Sequence, residues 1–360
     1  ERQPTHPMSS QFLILLGAGA ISALFVFLII RKADRLGLIQ APVARSSHVR
    51  PTPTGGGVGI VAGALVAGLM LPGGGSLSLI LLLLGFVIAL TGLIDDWRPL
   101  SARVRLPVQA LAIGVAIWVT GAVQIFAPDG GLLLSAIGVL VLLLAGVWWI
   151  NLFNFMDGID GIAGQQAVVM MVSAMIACSI GNPDAAGTWI WWVMGAVAVA
   201  SLGFLLFNWP PARIFMGDAG STFLGFILFA AALVTMTEGW LSLQQWLLFA
   251  ALFASDATVT LLVRILRGEN PAEAHRSHAY QRLSRRFGGA RPVTLTALLV
   301  NALILLPIAL LVPAGWTAWA VTVLIYAILV CIILWAGAGL ADQEKASFTA
   351  YRRLLLRDHG

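Results

Sequence analysis

Eleven apolar runs of about 17 to 25 residues follow one another through this 360-residue chain, and each is long enough to cross a bilayer. They cover roughly 11–30, 56–72, 77–94, 106–123, 131–150, 162–180, 188–207, 220–237, 243–263, 292–312 and 316–337. In lipid every backbone N–H and C=O must find its partner inside the protein, so a run of this length crosses as a helix. The expected fold is therefore all-α, a polytopic integral membrane protein with about 11 transmembrane helices. Residues 1–340 read as one helical domain and residues 341–360 as a basic amphipathic tail. Composition agrees, because 59% hydrophobic and 10% charged residues exclude a soluble globular domain of this length. The first run has spanning length and no small-residue cleavage site, so it reads as an anchor rather than a cleaved signal. Cys178 and Cys331 both lie in apolar runs and offer neither a disulfide framework nor a metal motif.

The connections between the runs alternate in charge. Loops 72–76, 124–130, 181–187, 238–242 and 313–315 contain no Lys or Arg, whereas the other set carries every basic residue except Arg2. The positive-inside rule makes the basic face cytoplasmic, with the N-terminus outside and the C-terminus inside. Several of the thirteen Trp residues, including Trp148, Trp149, Trp189 and Trp240, stand at run ends as interfacial anchors. The tail, with Tyr351, Leu354 and Leu355 among Arg352, Arg353 and Arg357, is expected to lie on the anionic inner leaflet.

Within this apolar frame the stretch NLFNFMDGIDG, residues 151–161, stands out. Asn151, Asn154, Asp157 and Asp160 recur every three residues just after an apolar run, where polar groups are costly unless something uses them. On a regular helix each such step turns the side chain by about 300°, spreading the four groups over half the surface. Gly158 and Gly161 predict a bend that lets the carboxylates converge. Asp95, Asp96 and Asp218 fall on the same cytoplasmic face. Asp95, Asp96 and the Asp157/Asp160 pair follow inward-running helices, where the dipole disfavours anions by up to about 1 kcal/mol. A divalent cation or a basic partner must compensate.

Asp218, in FMGDAGS, precedes a helix running back outward, whose first amides are expected to be exposed and able to hold a phosphate. PTPTGGG, residues 51–57, opens the second run with the same polarity and the same expectation. Asp256 lies inside the ninth run, eight residues before Arg264 and so about 12 Å from it along the helix. Structural pairing and site lining are both open for this carboxylate.

Two known signatures can be set against these residues. DGIDGIAG begins like the DxxDGxxAR motif of CDP-alcohol phosphotransferases, but Gly164 and Gln165 stand where Ala and Arg belong. The chain resembles instead the polyprenyl-phosphate N-acetylhexosamine-1-phosphate transferases, which include phospho-MurNAc-pentapeptide translocase and the WecA-type enzymes. The resemblance runs in order through PTPTGGG, DDW with LSARVRL, NLFNFMDGIDG, NWPPARIFMGDAGS and HRSHAYQRL, from Pro51 to Leu283. The last motif looks most like the WbpL/WbcO type that starts lipopolysaccharide O-antigen.

The resemblance implies Mg²⁺ as cofactor, with Mn²⁺ as an alternative, bound by Asp218 and Asn154. It implies that Asp95 and Asp96 bind or deprotonate the lipid phosphate. Asp157, Asp160, Asn208 and Phe215 match positions that hold the uridine and the donor, while Arg105 and His278 match groups near the phosphates. Asn151, His275, Arg276 and Arg282 complete the expected substrate-binding set. The partners implied are undecaprenyl phosphate, a UDP-N-acetyl-sugar and membrane lipids, with no nucleic acid and with a homodimer left open. The expected reaction transfers HexNAc-1-phosphate and releases UMP at the bacterial inner membrane. Many relatives carry a histidine run after the position of His278, where this chain has Ala279, Tyr280 and Gln281; with that departure, the resemblance to the WbpL type implies a deoxy-sugar donor such as UDP-N-acetylfucosamine or UDP-N-acetylquinovosamine, with UDP-N-acetylglucosamine left open as a further donor. The competing reading is a secondary transporter, which Asp256 alone favours.

Overall fold

A computed structural model describes residues 8–40, 51–125, 131–270, 273, 275–341, 344, 346–347 and 350–351. Among the described residues the protein is a helical bundle with one two-stranded ribbon, Ile39–Gln40 paired antiparallel with Thr52–Pro53. The helices are α1 (Met8–Leu36), α2 (Gly57–Met70), α3 (Gly75–Trp97), α4 (Ala102–Thr120), α5 (Leu132–Phe155), α6 (Ile162–Gly181), α7 (Trp189–Asn208), α8 (Asp218–Thr237) and α9 (Leu243–Leu266). There follow a short α10 (Ala279–Arg286), then α11 (Ala290–Val300), which runs through a π turn at Asn301–Leu305 into α12 (Leu306–Leu311), and finally α13 (Trp316–Ala336).

Among the described residues, ten helices are long and apolar enough to cross a membrane, with α11 and α12 counting as one. The second apolar run falls short of expectation. It forms a 14-residue helix, about 21 Å long, because Leu71 is extended and Pro72 follows.

α8 is the axis of the bundle. Its side chains are buried almost throughout, and it packs against α2, α3, α4, α5, α6 and α7. Lipid supplies no hydrophobic drive between helices, so close backbone approach must do the holding, and small residues permit it. A Cβ on Gly57 would collide with the backbone of Gly220, and one on Gly92 with the Asp218 carbonyl. These two contacts press α2 and α3 against the N-terminal end of α8, where Asp218 stands.

Three features were not expected. α10, AYQRLSRR, is too short and polar to read as a helix. The π turn places buried Asn301 so that its Nδ2 donates to Gln166 Oε1 at 2.7 Å, tying the α11–α12 span to α6. The start of the tail is docked on protein: the Tyr351 hydroxyl donates to the carbonyls of Leu334 and Ala338. Arg352, Arg353, Leu354, Leu355 and Arg357 lie outside the described residues.

Candidate active site

The alternation of helix directions brings the ends of α3, α5, α7 and α9 and the starts of α4, α6 and α8 to one end of the bundle. Asp95 and Asp96 are on the last turn of α3, Arg105 on the first turn of α4, and Asn154 on the last turn of α5. Asp218 opens α8. The structure joins these residues directly.

Arg105 Nη1 donates to Asp95 Oδ2 at 2.6 Å and lies 3.8 Å from Asp218 Oδ2. Asn154 Nδ2 donates to Asp218 Oδ1 at 2.8 Å and to Ser221 Oγ at 2.9 Å. Asp96 sits across the start of α8, its two oxygens accepting from the N–H groups of Asp218 and Ala219 at 2.8 and 3.2 Å. The other oxygen of Asp95 accepts from Leu100 N at 2.5 Å. This arrangement corrects the expectation of a phosphate at the α8 N-terminus. Asp96 occupies two of its free amides, and Gly220 and Ser221 donate to the Gly217 carbonyl. The same holds at α2, where Gly56 and Gly57 donate to the carbonyls of Phe215 and Met216.

The stretch after α5 bends as the glycines require. α5 ends at Phe155, and Gly161 takes a left-handed φ of +76° before α6 begins. The turn between them carries Asp157 and Asp160. Asp160 Oδ2 accepts from Ala212 N at 2.9 Å, and its carbonyl accepts from the hydroxyl of fully buried Thr294 at 2.8 Å. Among the described residues no hydrogen-bond donor or cation meets the Asp157 carboxylate. Burial, and then the charges of Asp218, Asp96 and Asp160, push its pKa well above the ordinary carboxylate range. Five carboxylates thus stand close together, and among the described residues Arg105 is seated between Asp95 and Asp218.

That imbalance fits a divalent cation. Mg²⁺ takes hard oxygen ligands, usually one or two carboxylates with water and substrate phosphates filling the rest. Among the described residues no three His, Cys, Asp or Glu side chains form a ready-made cage. Asp218, which accepts from the Asn154 amide, and Asn154 itself are the residues that could hold such a metal.

Beside this centre lies a cleft of about 490 Å³, a volume ordinary for a ligand site. Ile159, Asp160, Pro211, Phe215, Phe287 and Arg291 are among the residues that line it. Phe215 is fixed by its backbone, whose N–H donates to the Pro53 carbonyl at 2.8 Å.

Other expected site residues face elsewhere. Asn208 is buried, its Oδ1 accepting from Gly161 N and its Nδ2 donating to the Ile214 carbonyl, so it holds two site loops rather than facing the cleft. Asn151 donates to Gln109 Oε1 on α4 and to the Val147 carbonyl. His278 is buried on Asp256, with Nδ1 3.5 Å from its Oδ1, and its ring stacks with Tyr280 and lies near that of His275. Arg276 accepts at its carbonyl from Arg285. Arg282, expected at the substrate, turns its guanidinium to the carbonyls of Ala336, Leu340, Ala341 and Glu344. Those groups are the open end of α13 and the chain beyond it, which a cation satisfies well.

Asp256 resolves in the structural direction. Its Oδ1 accepts from Thr260 and from Ala279 N, and its Oδ2 from Tyr280 N, at 2.8 to 2.9 Å, so it caps α10. Arg264 pairs instead with Glu269 at 2.7 Å. Sequence reasoning also passed over Thr294 and Ser221. A hydroxyl near a helix start was the one signal present for both, and it does not show what the hydroxyl meets.

Comparison with known proteins bears on the same residues. The Glycosyl transferase family 4 profile matches residues 78–236, the segment holding Asp95, Asp96, Asp157, Asp160 and Asp218. The chain is 31% identical over 288 residues to a Mycolicibacterium smegmatis protein named decaprenyl-phosphate N-acetylglucosaminephosphotransferase, covering 70% of each chain. It is 35% identical over 247 residues to the phospho-N-acetylmuramoyl-pentapeptide-transferase of Desulforudis audaxviator, covering 60% of this chain and 70% of that one. A Bacillus subtilis protein named "Probable undecaprenyl-phosphate N-acetylglucosaminyl 1-phosphate transferase" matches at 27% over 91% of this chain and 92% of its own. The motif order read from the sequence, the clustered carboxylates and these matches agree, and the chain belongs to the polyprenyl-phosphate N-acetylhexosamine-1-phosphate transferase family.

Proposed function

We propose that this protein transfers N-acetylhexosamine-1-phosphate from a UDP-sugar to undecaprenyl phosphate on the cytoplasmic face of a bacterial inner membrane, releasing UMP. Family membership supports the coarser statement, transfer of an N-acetylhexosamine-1-phosphate to a polyprenyl phosphate. The observation that carries the rest is the cluster of Asp95, Asp96, Asp157, Asp160 and Asp218 around Arg105 at one end of the bundle. Basic loops adjoin that end, which favours the cytoplasmic side. A role in starting O-antigen or a related envelope glycan rests on the HAYQRL resemblance.

In the reaction, an oxygen of the lipid phosphate forms a bond to the β-phosphorus of the donor. The bond from that phosphorus to the bridging oxygen breaks, and UMP departs. Such transfer depends on positioning and on neutralising the charge of the phosphoryl group, more than on covalent chemistry. A bound Mg²⁺ would supply charge neutralisation and would draw on Asp218 with Asn154. The Arg105 guanidinium, held by Asp95 and reaching toward Asp218, offers the phosphates a second positive group. Asp96 holds the first turn of α8 so that Asp218 keeps its place. Asp160 and Phe215, in the adjoining cleft, are placed for the nucleoside.

The transporter reading lost its one support when Asp256 proved to cap α10. The donor expectation built on Tyr280 and Gln281 also changes. Both side chains are buried and turned toward Gly158 rather than toward an arriving sugar, so UDP-N-acetylglucosamine and the deoxy-sugar nucleotides stand as equal candidates. The test is a donor labelled with ³²P at the β-phosphate, given to purified protein with undecaprenyl phosphate. Label in the lipid fraction supports the reading. Label that stays with the nucleotide while sugar enters the lipid would mean transfer of the sugar alone, and no transfer from any UDP-HexNAc would refute the proposal.

A further inference from the structure

The end of α5 and the turn after it carry Asn154 and Asp157, yet the carbonyls of a helix's last turn have no partner within the helix. One of them, the Phe155 carbonyl, accepts a hydrogen bond at 3.0 Å from the hydroxyl of Tyr280. The backbone of Gly158 closes on the same hydroxyl so tightly that a Cβ there would collide with it, and the Gln281 amide lies against the same point. Tyr280 is buried, and its own N–H is held by Asp256, whose carboxylate fixes the start of α10. A rigid path therefore leads from α9 through Asp256 and the first turn of α10 to the peptide units on either side of Asp157.

We propose that Tyr280 is a positioning residue for the donor site: its hydroxyl fixes the Phe155–Gly158 turn, and through it the facing of Asn154 on Asp218 and of Asp157 into the acidic cluster. The proposal rests on the transferase reading and adds to it a residue that touches neither substrate nor metal. It also assigns a task to the segment in which this chain departs from the histidine-rich pattern. That segment acts on the carboxylate turn from behind, and Gly158 is small because the Tyr280 hydroxyl occupies the space beside it. Acceptor-side groups are held independently, since Asp95 and Arg105 belong to α3 and α4, away from this path.

The test uses the full-length protein in detergent and four forms: wild type, Tyr280→Phe, Gly158→Ala and the double variant. Tyr280→Phe keeps the ring and removes only the hydroxyl, with its bond to Phe155 and its contact with the Gly158 backbone. Its donor KM should rise about tenfold, the scale of one buried hydrogen bond, while the KM for polyprenyl phosphate stays within twofold. Equilibrium binding of UDP-sugar, measured without acceptor, should weaken by the same factor. Gly158→Ala should be worse than Tyr280→Phe, but in the Tyr280→Phe background it should add less than threefold, because the removed oxygen vacates the space the methyl group needs. A merely structural role would lower the active fraction and kcat and leave both KM values and donor binding unchanged; that outcome, or independent multiplication of the two substitutions, would overturn the proposal. Wild-type protein that transfers no phosphosugar would refute the transferase reading instead, and the two failures are separable.

Discussion

Asp96 sets both carboxylate oxygens on the first backbone amides of the helix that Asp218 begins, 2.8 Å from Asp218 N and 3.2 Å from Ala219 N. Two neighbouring carboxylates thus differ in kind, one holding a helix start and the other facing the cluster. Asp96→Asn keeps one acceptor and loses the charge at the helix N-terminus, so it should lower unfolding stability by about 1 kcal/mol and reduce activity about tenfold or more. Asp218→Asn should leave stability within about 0.5 kcal/mol and remove most activity. Thermal unfolding in detergent, read beside phosphosugar transfer for both variants, checks the contrast. Equal stability losses would mean that Asp96 is not the cap described.

Asp256 and α10 give a second stability expectation. Its carboxylate accepts from two backbone amides and the Thr260 hydroxyl while buried. Asp256→Ala leaves those donors unmatched and should destabilise the protein by about 2–4 kcal/mol. Asp256→Asn should lose less, because one oxygen still accepts. Chemical unfolding midpoints separate the two variants.

Acid should weaken the same region through His275. Burial, the neighbouring His278 and Arg264 press its pKa down to about 3, from an ordinary value near 6.5. The folded protein therefore keeps this ring neutral while the unfolded chain protonates it. Stability from His275 is fully present above about pH 6.5 and is lost progressively as pH falls from there toward 3. Melting temperatures between pH 7.5 and 5 should fall less steeply in His275→Gln than in wild type, and identical slopes would show that the ring titrates normally.

The orientation can be tested on positions that the structure shows to be exposed. Ser101 lies between α3 and α4 beside the acidic cluster, and Asp184 lies at the opposite end between α6 and α7. In a Cys331→Ala background, Ser101→Cys should resist an impermeant thiol reagent on intact cells and Asp184→Cys should react. The reverse pattern would move the site to the outside.

The spans and the one-sided gathering of acids were legible because hydropathy, charge alternation and glycine placement are local signals. Asp218 and Asn154 were paired by motif order and the structure brings them together, whereas the pairing of Asp95 with Arg105 was not foreseen. What stayed illegible depended on partners far apart in sequence. Asp256 meets amides 23 and 24 residues away, Arg282 meets carbonyls more than 50 residues on, and Thr294 meets the carbonyl of Asp160. Backbone amides and carbonyls carry no sequence mark, so a side chain destined for them looks like one destined for a ligand. The amides expected to bind phosphate failed for the same reason, because nothing local showed that Asp96 would arrive first.

The most direct measurement is UMP release by purified wild-type protein and Asp218→Asn side by side, with undecaprenyl phosphate and a panel of UDP-N-acetylhexosamines, as Mg²⁺ is titrated and then chelated. Wild type should release UMP only with acceptor and metal present, and Asp218→Asn should be slower by at least a hundredfold, the scale of a lost transition-state charge contact, roughly 2.7 kcal/mol. Folded wild-type protein that releases no UMP from any of these donors, or Asp218→Asn activity within a few fold of wild type, would contradict the account.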